Sequence, residues 1–258
     1  MNLAEGILLG VLQGITEWLP ISSSGQGMLV LINLLGVSPD EAFSISVALH
    51  LGSLFAVIVY FRKMLWSLIQ DRELLKFLIV ASFASAVIGL PAYLILKDLF
   101  SAASGEVATM FIGAMLIGTG LLLRKNPGAT REKYNSVDAM FTGGAQGLAV
   151  LPGVSRSGST IAALLLRGVK QETALSLSFI LAIPAILGLF VLDFAEAGLT
   201  AISTPLIAGV ATSFIVSLAT MHYFMSLSRR IDFSAFALAI GSIAFFAPLI
   251  LIGFEVFF

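Results

Sequence analysis

The chain has 258 residues, 58% hydrophobic and only 11% charged, with a formal net charge of −1 and a mean hydropathy of +1.03. Soluble domains carry roughly 25% charged residues, so a soluble fold is excluded, and the near-zero charge selects no partner. Cysteine is absent, which excludes disulfides, thiolate metal sites and cysteine nucleophiles. The apolar runs are continuous and long enough for a bilayer, which predicts a polytopic helical membrane protein and not a barrel of short alternating strands. Glu5 stands where a signal peptide would be basic, and nothing resembles a nucleic-acid module.

Residues 3–19 are apolar but carry Glu5, Gln13 and Glu17, and they stop at Pro20, which disfavours helix just before it. The next apolar piece, 24–36, would rise ~20 Å as a helix, too short for a ~30 Å hydrocarbon core. Two short pieces around a polar tip predict a re-entrant hairpin over 3–36, tolerated at membrane depth only inside protein or against a wet cavity. Spans are expected at 42–61, 74–96 and 107–123. A second short pair, 137–151 and 159–168 around Pro152-Gly153, predicts a hairpin over 137–168. Spans at 172–192, 204–227 and 233–256 close the chain. The expected fold is all-α, one integral membrane domain of two repeats, 1–124 and 137–258, each a re-entrant helical hairpin plus three transmembrane helices. A hairpin returns to its own side and three spans is an odd number, so the repeats are inverted.

Charge tests this segmentation. One face collects Arg62, Lys63, Arg72, Lys76, Arg124, Lys125, Arg131, Lys133, Arg167, Lys170, Arg229 and Arg230, twelve of the 14 basic residues. The other face holds Lys97. By the positive-inside rule the basic face is cytoplasmic, and both termini lie outside. Glu5, Asp193, Glu196 and Glu255 fall at span ends and are expected to be solvated. Asp138, after Ser136, reads as a helix start, and His222 as an interface residue.

The stretch Gln13 to Gln26 puts a carboxylate, a proline and Ser22, Ser23 and Ser24 into this apolar context. A weaker copy follows 133 residues later: Gln146-Gly147 matches Gln13-Gly14, and Ser155, Ser157 and Gly158 match Ser22, Ser24 and Gly25. Pro20 and Pro152 are one place out of step. Gln13 and Glu17, four apart, share a helix face. Serines opening a half-helix add hydroxyls to unpaired backbone N–H groups at the positive end of a dipole, a place for phosphate; the plainer reading is an N-cap. Arg156 sits in a hairpin tip, where a charge costs ~2.5–3.5 kcal/mol. It needs either a phosphate, which its fork fits, or an internal pair with Glu17, which could open for an anion. His50 lies ~12 Å into its span with Ser46 and Ser53 on the same stripe, as an acid, base, donor, nucleophile or simply an interhelical histidine. Glu17 is the only carboxylate at depth, so a divalent ion would need substrate oxygens and water as further ligands. No Gly-x4-Gly-Lys-Ser/Thr loop is present.

At these residues the chain resembles the undecaprenyl-diphosphate phosphatases, the bacitracin-resistance proteins, over essentially its whole length. Gln13 and Glu17 match a Glu/Gln-x3-Glu signature. Pro20, Ser22, Ser23, Ser24 and Gly25 match a Pro-x-Ser-Ser-Ser/Thr-Gly loop, and Pro152, Gly153, Ser155, Arg156, Ser157 and Thr160 match the second motif. The resemblance implies removal of the terminal phosphate of a polyprenyl diphosphate, with a divalent cation (Mg2+ or Ca2+), at a site open to the outer side of the plasma membrane. Family members often carry histidine where Gln26 stands, and glutamine on the span that carries His50 here, so a swap is expected.

The functional reading is therefore a membrane lipid-diphosphate hydrolase. Arg156 and the helix N–H groups would stabilise transferring charge. Glu17, with Gln13, would hold the ion or act as base. Ser23 is the expected nucleophile, with water or His50 as alternatives. Ser22, Ser24, Gly25, Gln26, Ser155, Ser157 and Thr160 would bind phosphate. A homodimer is compatible with this reading. The alternative class is a transporter or flippase of a lipid phosphate or small anion, since fold alone does not set function.

Overall fold

A computed structural model describes residues 1–68, 70–123, 130–197, 203–227 and 234–257. They form helices α1 (Leu3–Thr16), α2 (Ser23–Leu35), α3 (Pro39–Tyr60), α4 (Arg62–Ser67), α5 (Arg72–Ala102), α6 (Gly105–Leu123), α7 (Ser136–Leu148), α8 (Arg156–Leu166), α9 (Gln171–Ala197), α10 (Thr204–Leu227) and α11 (Ser234–Phe257). Among the described residues there is no strand beyond one isolated bridge, Arg131 to Val169. Five helices, α3, α5, α6, α9 and α10, are long and apolar enough to cross a bilayer, and α11 is apolar over Ser234–Ile250. Arg124, Lys125, Arg229 and Arg230, and the side chains of Glu196 and Glu255, lie outside the described residues.

Local chemistry sets the ends. Asn2 caps α1 and Glu5 caps Asn2 in return; Asn135 and Asp138 repeat the same capping box on α7, again 133 residues on. Pro39 opens α3 with Asp40 and Glu41 in its first turn. Gly36 closes α2 at φ 65°, the left-handed stop that favours glycine.

Small residues let the short helices press onto the long ones. α1 packs along α10 and α7 along α5. A Cβ at Gly10 would overlap Gly209 O, and one at its counterpart Gly143 would overlap Ala81 O. One apolar cluster joins Met64 of α4 and Leu68 just after it, Leu74 and Phe77 of α5, Tyr134, Ala139, Leu164 and Val169. The connections bearing Arg62, Lys63, Arg72, Lys76, Arg131, Lys133, Arg167 and Lys170 thus gather at one end of the protein.

Three details differ from the expectation. α4 separates α3 from α5, where a simple loop is expected. α5 runs to Ala102 instead of stopping at 96, because Lys97 lies over the Tyr93 ring, 5.8 Å from its centroid, and Phe100 is buried against Phe43. Asp193 is not solvated: it is 5% exposed and accepts from Ser44 Oγ at 3.1 Å. Asp138 is a helix start, as expected, but a fully buried one, held by Nη1 and Nη2 of Arg131 at 2.8 and 3.0 Å and by Arg167 Nε at 3.0 Å.

Candidate active site

Two helix starts meet in the protein interior. Pro20 ends the α1 run, and the chain turns so that Ser22 caps α2. Ser22 sits at φ 59°, an uncommon backbone for a residue with a Cβ. In that pose its Oγ accepts from Gly25 N at 3.3 Å and from Gly153 N, in the other tip, at 3.1 Å. Ser155 caps α8 in the matching way, accepting from Gly158 N at 3.0 Å. Each cap contacts the hydroxyl two residues on, Ser22 with Ser24 at 3.3 Å and Ser155 with Ser157 at 3.4 Å. Caps of this kind take up the third N–H of a helix and leave the first two to another acceptor; here those belong to Ser23 and Ser24, and to Arg156 and Ser157. Thr119 of α6 steadies the second tip, donating to Gly153 O at 3.0 Å and accepting from Ser155 N at 3.2 Å.

Glu17 is the hub. It is 5% exposed. Its Oε2 accepts from Gln13 Nε2 at 2.9 Å and from Ser23 Oγ at 2.7 Å, and lies 3.3 Å from His50 Nε2. Its Oε1 accepts from Arg156 Nη2. The guanidinium also donates to Ser178 O at 3.2 Å and lies 5.9 Å from the Phe179 ring centroid. Phe179 in turn packs edge-on to buried Trp18 at 5.5 Å, so the ring beside the arginine is itself fixed by a second aromatic.

His50 Nδ1 lies 2.6 Å from Ser46 O. A carbonyl can only accept, so Nδ1 carries a hydrogen. In the neutral ring Nε2 is then an acceptor 3.2 Å from Ser23 Oγ, whose single hydrogen goes to Glu17 Oε2 in this structure and reaches Nε2 by rotation of the hydroxyl. Serine, imidazole and carboxylate are thus within hydrogen-bonding reach of one another, the arrangement an activated hydroxyl needs.

These groups line a cavity of about 300 Å³. Its polar end is Glu17, Ser22, Ser23, Ser24, His50, Ser155, Arg156 and Ser157; Phe43, Val47, Leu90, Val150, Ile186 and Leu189 make an apolar wall. Three expected phosphate contacts are not in the lining. Gly25 offers its N–H to Ser22, Gln26 turns its amide back to Ile21 O at 3.2 Å, and Thr160 Oγ1 pairs with Ser178 Oγ at 2.6 Å. Gln13 lies behind Glu17, also bonded to Ser53 Oγ at 3.3 Å. Among the described residues no group of three or more His, Cys, Asp or Glu could hold a metal ion. Thr119 and Ser178 escape a reading of motifs; Thr119 is a lone polar residue in an apolar run, the one signal that could have found it, whereas Ser178 follows Ser176 and stands out by nothing.

The family model for the bacitracin resistance protein BacA matches residues 6–245. A protein of Methanothrix thermoacetophila named undecaprenyl-diphosphatase is 44% identical over 247 residues, covering 94% of this chain and 96% of its own. One of the same name from Methanopyrus kandleri is 43% identical, covering 96% and 97%, and one from Syntrophotalea carbinolica is 40% identical, covering 92% and 94%.

Proposed function

The chain belongs to the bacitracin resistance protein BacA family, and from that premise we propose that it hydrolyses a polyprenyl diphosphate to the monophosphate and inorganic phosphate. This returns a lipid carrier to cell-envelope synthesis. One observation carries the reading beyond the family: Ser23, His50, Glu17 and Arg156 converge where two helix N-termini open on a cavity with an apolar wall.

In the mechanism we favour, the terminal phosphate displaces Glu17 from part of the Arg156 fork and takes the free N–H groups of the α2 and α8 first turns. Ser23 Oγ attacks the terminal phosphorus while His50 Nε2 takes its proton. The bond to the bridging oxygen breaks and the prenyl monophosphate departs. His50 passes that proton to the departing monophosphate. Water, deprotonated by the freed Nε2, then attacks the phosphoserine, and the bond from Ser23 Oγ to phosphorus breaks. His50 returns the proton to Ser23 Oγ as inorganic phosphate leaves. Glu17 offsets the charge of the imidazolium and orients Ser23, and Gln13 orients Glu17. Arg156 and the helix ends bind the phosphoryl oxygens, which is where most phosphoryl-transfer catalysis resides.

A divalent cation fits only as a partner of the substrate. Among the described residues Glu17 is the one carboxylate in the cavity lining, and both its oxygens already accept hydrogen bonds. Glu17, with Gln13 adjacent, would hold the ion together with diphosphate oxygens, where it would neutralise phosphate charge.

We read the architecture as two inverted repeats, 1–124 and 137–258, each opening with a re-entrant hairpin. Support comes from the paired capping boxes, from the matched serine caps, and from the exchange by which α1 packs on α10 and α7 on α5. Gly6 abuts Pro205 at the start of α10, whereas Asp138 lies among the basic connections. The hairpins therefore start from opposite ends. With the basic end cytoplasmic, both termini and the cavity belong to the outer side.

The test is phosphate release from farnesyl, geranylgeranyl and undecaprenyl diphosphates by protein purified in detergent. A transporter, with no two sides to work between, would release none. Terminal-phosphate label should be trapped on the native protein and not on Ser23→Ala; hydrolysis by Ser23→Ala at the native rate would remove Ser23 as nucleophile.

A further inference from the structure

The α5–α7 wall of the cavity carries polar groups that the mechanism above leaves unused. Gln146, on α7, is 3% exposed and lines the cavity. Its amide oxygen is buried without a hydrogen-bond partner among the described residues, and its amide nitrogen reaches Ser85 Oγ on α5 at 3.4 Å. Ser82 lines the same wall one turn earlier, among Ala86, Gly89 and Gly147. A buried polar atom left unpaired is costly and asks for a ligand or another reason.

The repeat supplies the context. Gln146 is the counterpart of Gln13, whose amide holds Glu17. Four residues after Gln146 stands Val150, so the second copy keeps the amide and has no acid to serve. The Ser85 hydroxyl can donate to an amide oxygen. With the amide in that orientation its N–H groups take the buried place of Oε1, on a residue that lines the cavity. The patch then offers amide and hydroxyl donors, all neutral, set in a small-residue wall.

Such donors suit phosphate oxygens, and neutrality lets a phosphate go again. Phosphoryl transfer runs in line, so the leaving group departs on the side of phosphorus away from the nucleophile. Ser23 and His50 come from α2 and α3, while this patch comes from α5 and α7, a different wall of the same cavity. We infer that Gln146, Ser85 and Ser82 cradle the inner, lipid-bearing phosphate, the one that leaves as the prenyl monophosphate, while Arg156 and the helix starts hold the terminal one. This rests on the diphosphatase reading and gives it a second, uncharged subsite.

The test compares farnesyl monophosphate with inorganic phosphate as ligands of the purified protein, by thermal shift and by inhibition of farnesyl diphosphate hydrolysis. Losing one hydrogen bond to a charged group should make Gln146→Leu bind farnesyl monophosphate about 10-fold more weakly. The KM for farnesyl diphosphate should rise in step, with kcat falling less and inorganic phosphate binding unchanged. Ser85→Ala should move the same way by less, and Gln146→Glu by more, through repulsion. Equal loss of both ligands, loss confined to inorganic phosphate, or no farnesyl monophosphate binding by the native protein would overturn the subsite. Because thermal shift needs no turnover, a protein inert toward prenyl diphosphates would refute the diphosphatase reading separately.

Discussion

Gly25→Ala probes the contact on which the site depends without touching any reacting group. A Cβ at Gly25 would lie 3.0 Å from Gly153 N and 3.1 Å from Gly153 Cα, both backbone atoms of the opposite tip. Ordinary carbon contacts sit near ~3.5–4.0 Å, so the tips must part by about 0.5 Å. Overpacking of this kind costs about 1–3 kcal/mol. The same movement separates Ser23 from Arg156. A misplacement of ~1 Å costs roughly 100-fold in rate, so half of it should cost about 10-fold. The assay is kcat/KM for farnesyl diphosphate in detergent, with the melting midpoint of the same preparation. Gly27→Ala is the control: it lies in the same helix and its Cβ would meet nothing within 4 Å. It should leave activity intact and, as alanine is the better helix former by ~1 kcal/mol, not lower the melting midpoint. Native kcat/KM in Gly25→Ala, or equal damage in Gly27→Ala, would refute the reasoning.

His50→Gln should lower kcat by about 10²–10⁴-fold, the usual worth of an acid–base group; near-native single-turnover rates would retire His50. Arg156→Lys keeps the charge and loses the fork, so KM and kcat should both suffer, by about 10-fold or more in kcat/KM, and an unchanged kcat/KM would count against bidentate binding. Ser22→Ala should melt below Ser22→Gly, since both lose the bonds to Gly25 and Gly153 but only glycine relieves the positive φ; the reverse order in thermal melts would remove the strain argument. Burial raises the Asp138 carboxyl, yet the hydrogen bonds from Arg131 and Arg167 outweigh it and hold the group below its ordinary value. Its stabilisation is therefore complete above pH ~4 and is lost as pH falls through the lowered folded value. Asp138→Asn should melt well below native at neutral pH, with the gap closing in acid.

The helices were legible because long apolar runs announce themselves by length and short ones by the proline that ends them. Pro20 and the short run after it were enough to expect a tip there, and the 133-residue spacing tied Ser22 to Ser155. The same spacing links Asn2 and Glu5 to Asn135 and Asp138, a capping match that can be read from sequence once the offset is known. The pairing of Glu17 with Arg156 was legible as one of two ways to compensate a buried charge, the other being a bound phosphate. Contacts between helices without such a cost were not legible. Nothing in the order of residues says that Thr119 braces Gly153, that Asp193 is buried beside Ser44, or that Ser22 takes a left-handed backbone. Gln26 and Thr160 belong to motifs, yet Gln26 folds back on the backbone and Thr160 turns to Ser178. A motif gives spacing, and helix rotation decides which of its members face the cavity.

The two tips share a hydrogen-bond pattern but not a chemistry. Ser22 and Ser155 cap their helices alike, and each leaves N–H groups for a ligand. The first tip adds the acid and, with α3, the serine–imidazole contact; the second adds the guanidinium. Only the contact between tips sets charge against hydroxyl. Ser22 has the left-handed backbone and reaches Gly153, whereas Ser155, in extended backbone, turns to Thr119. One cap oxygen crosses the gap and takes the Gly153 N–H, while the Ser155 backbone N–H goes to Thr119. In this protein the strained residue is the one that reaches, and it stands next in sequence to Ser23. A backbone outlier at a helix start is thereby explained by what it joins, and the asymmetry between the copies lies at the contact that joins the two tips.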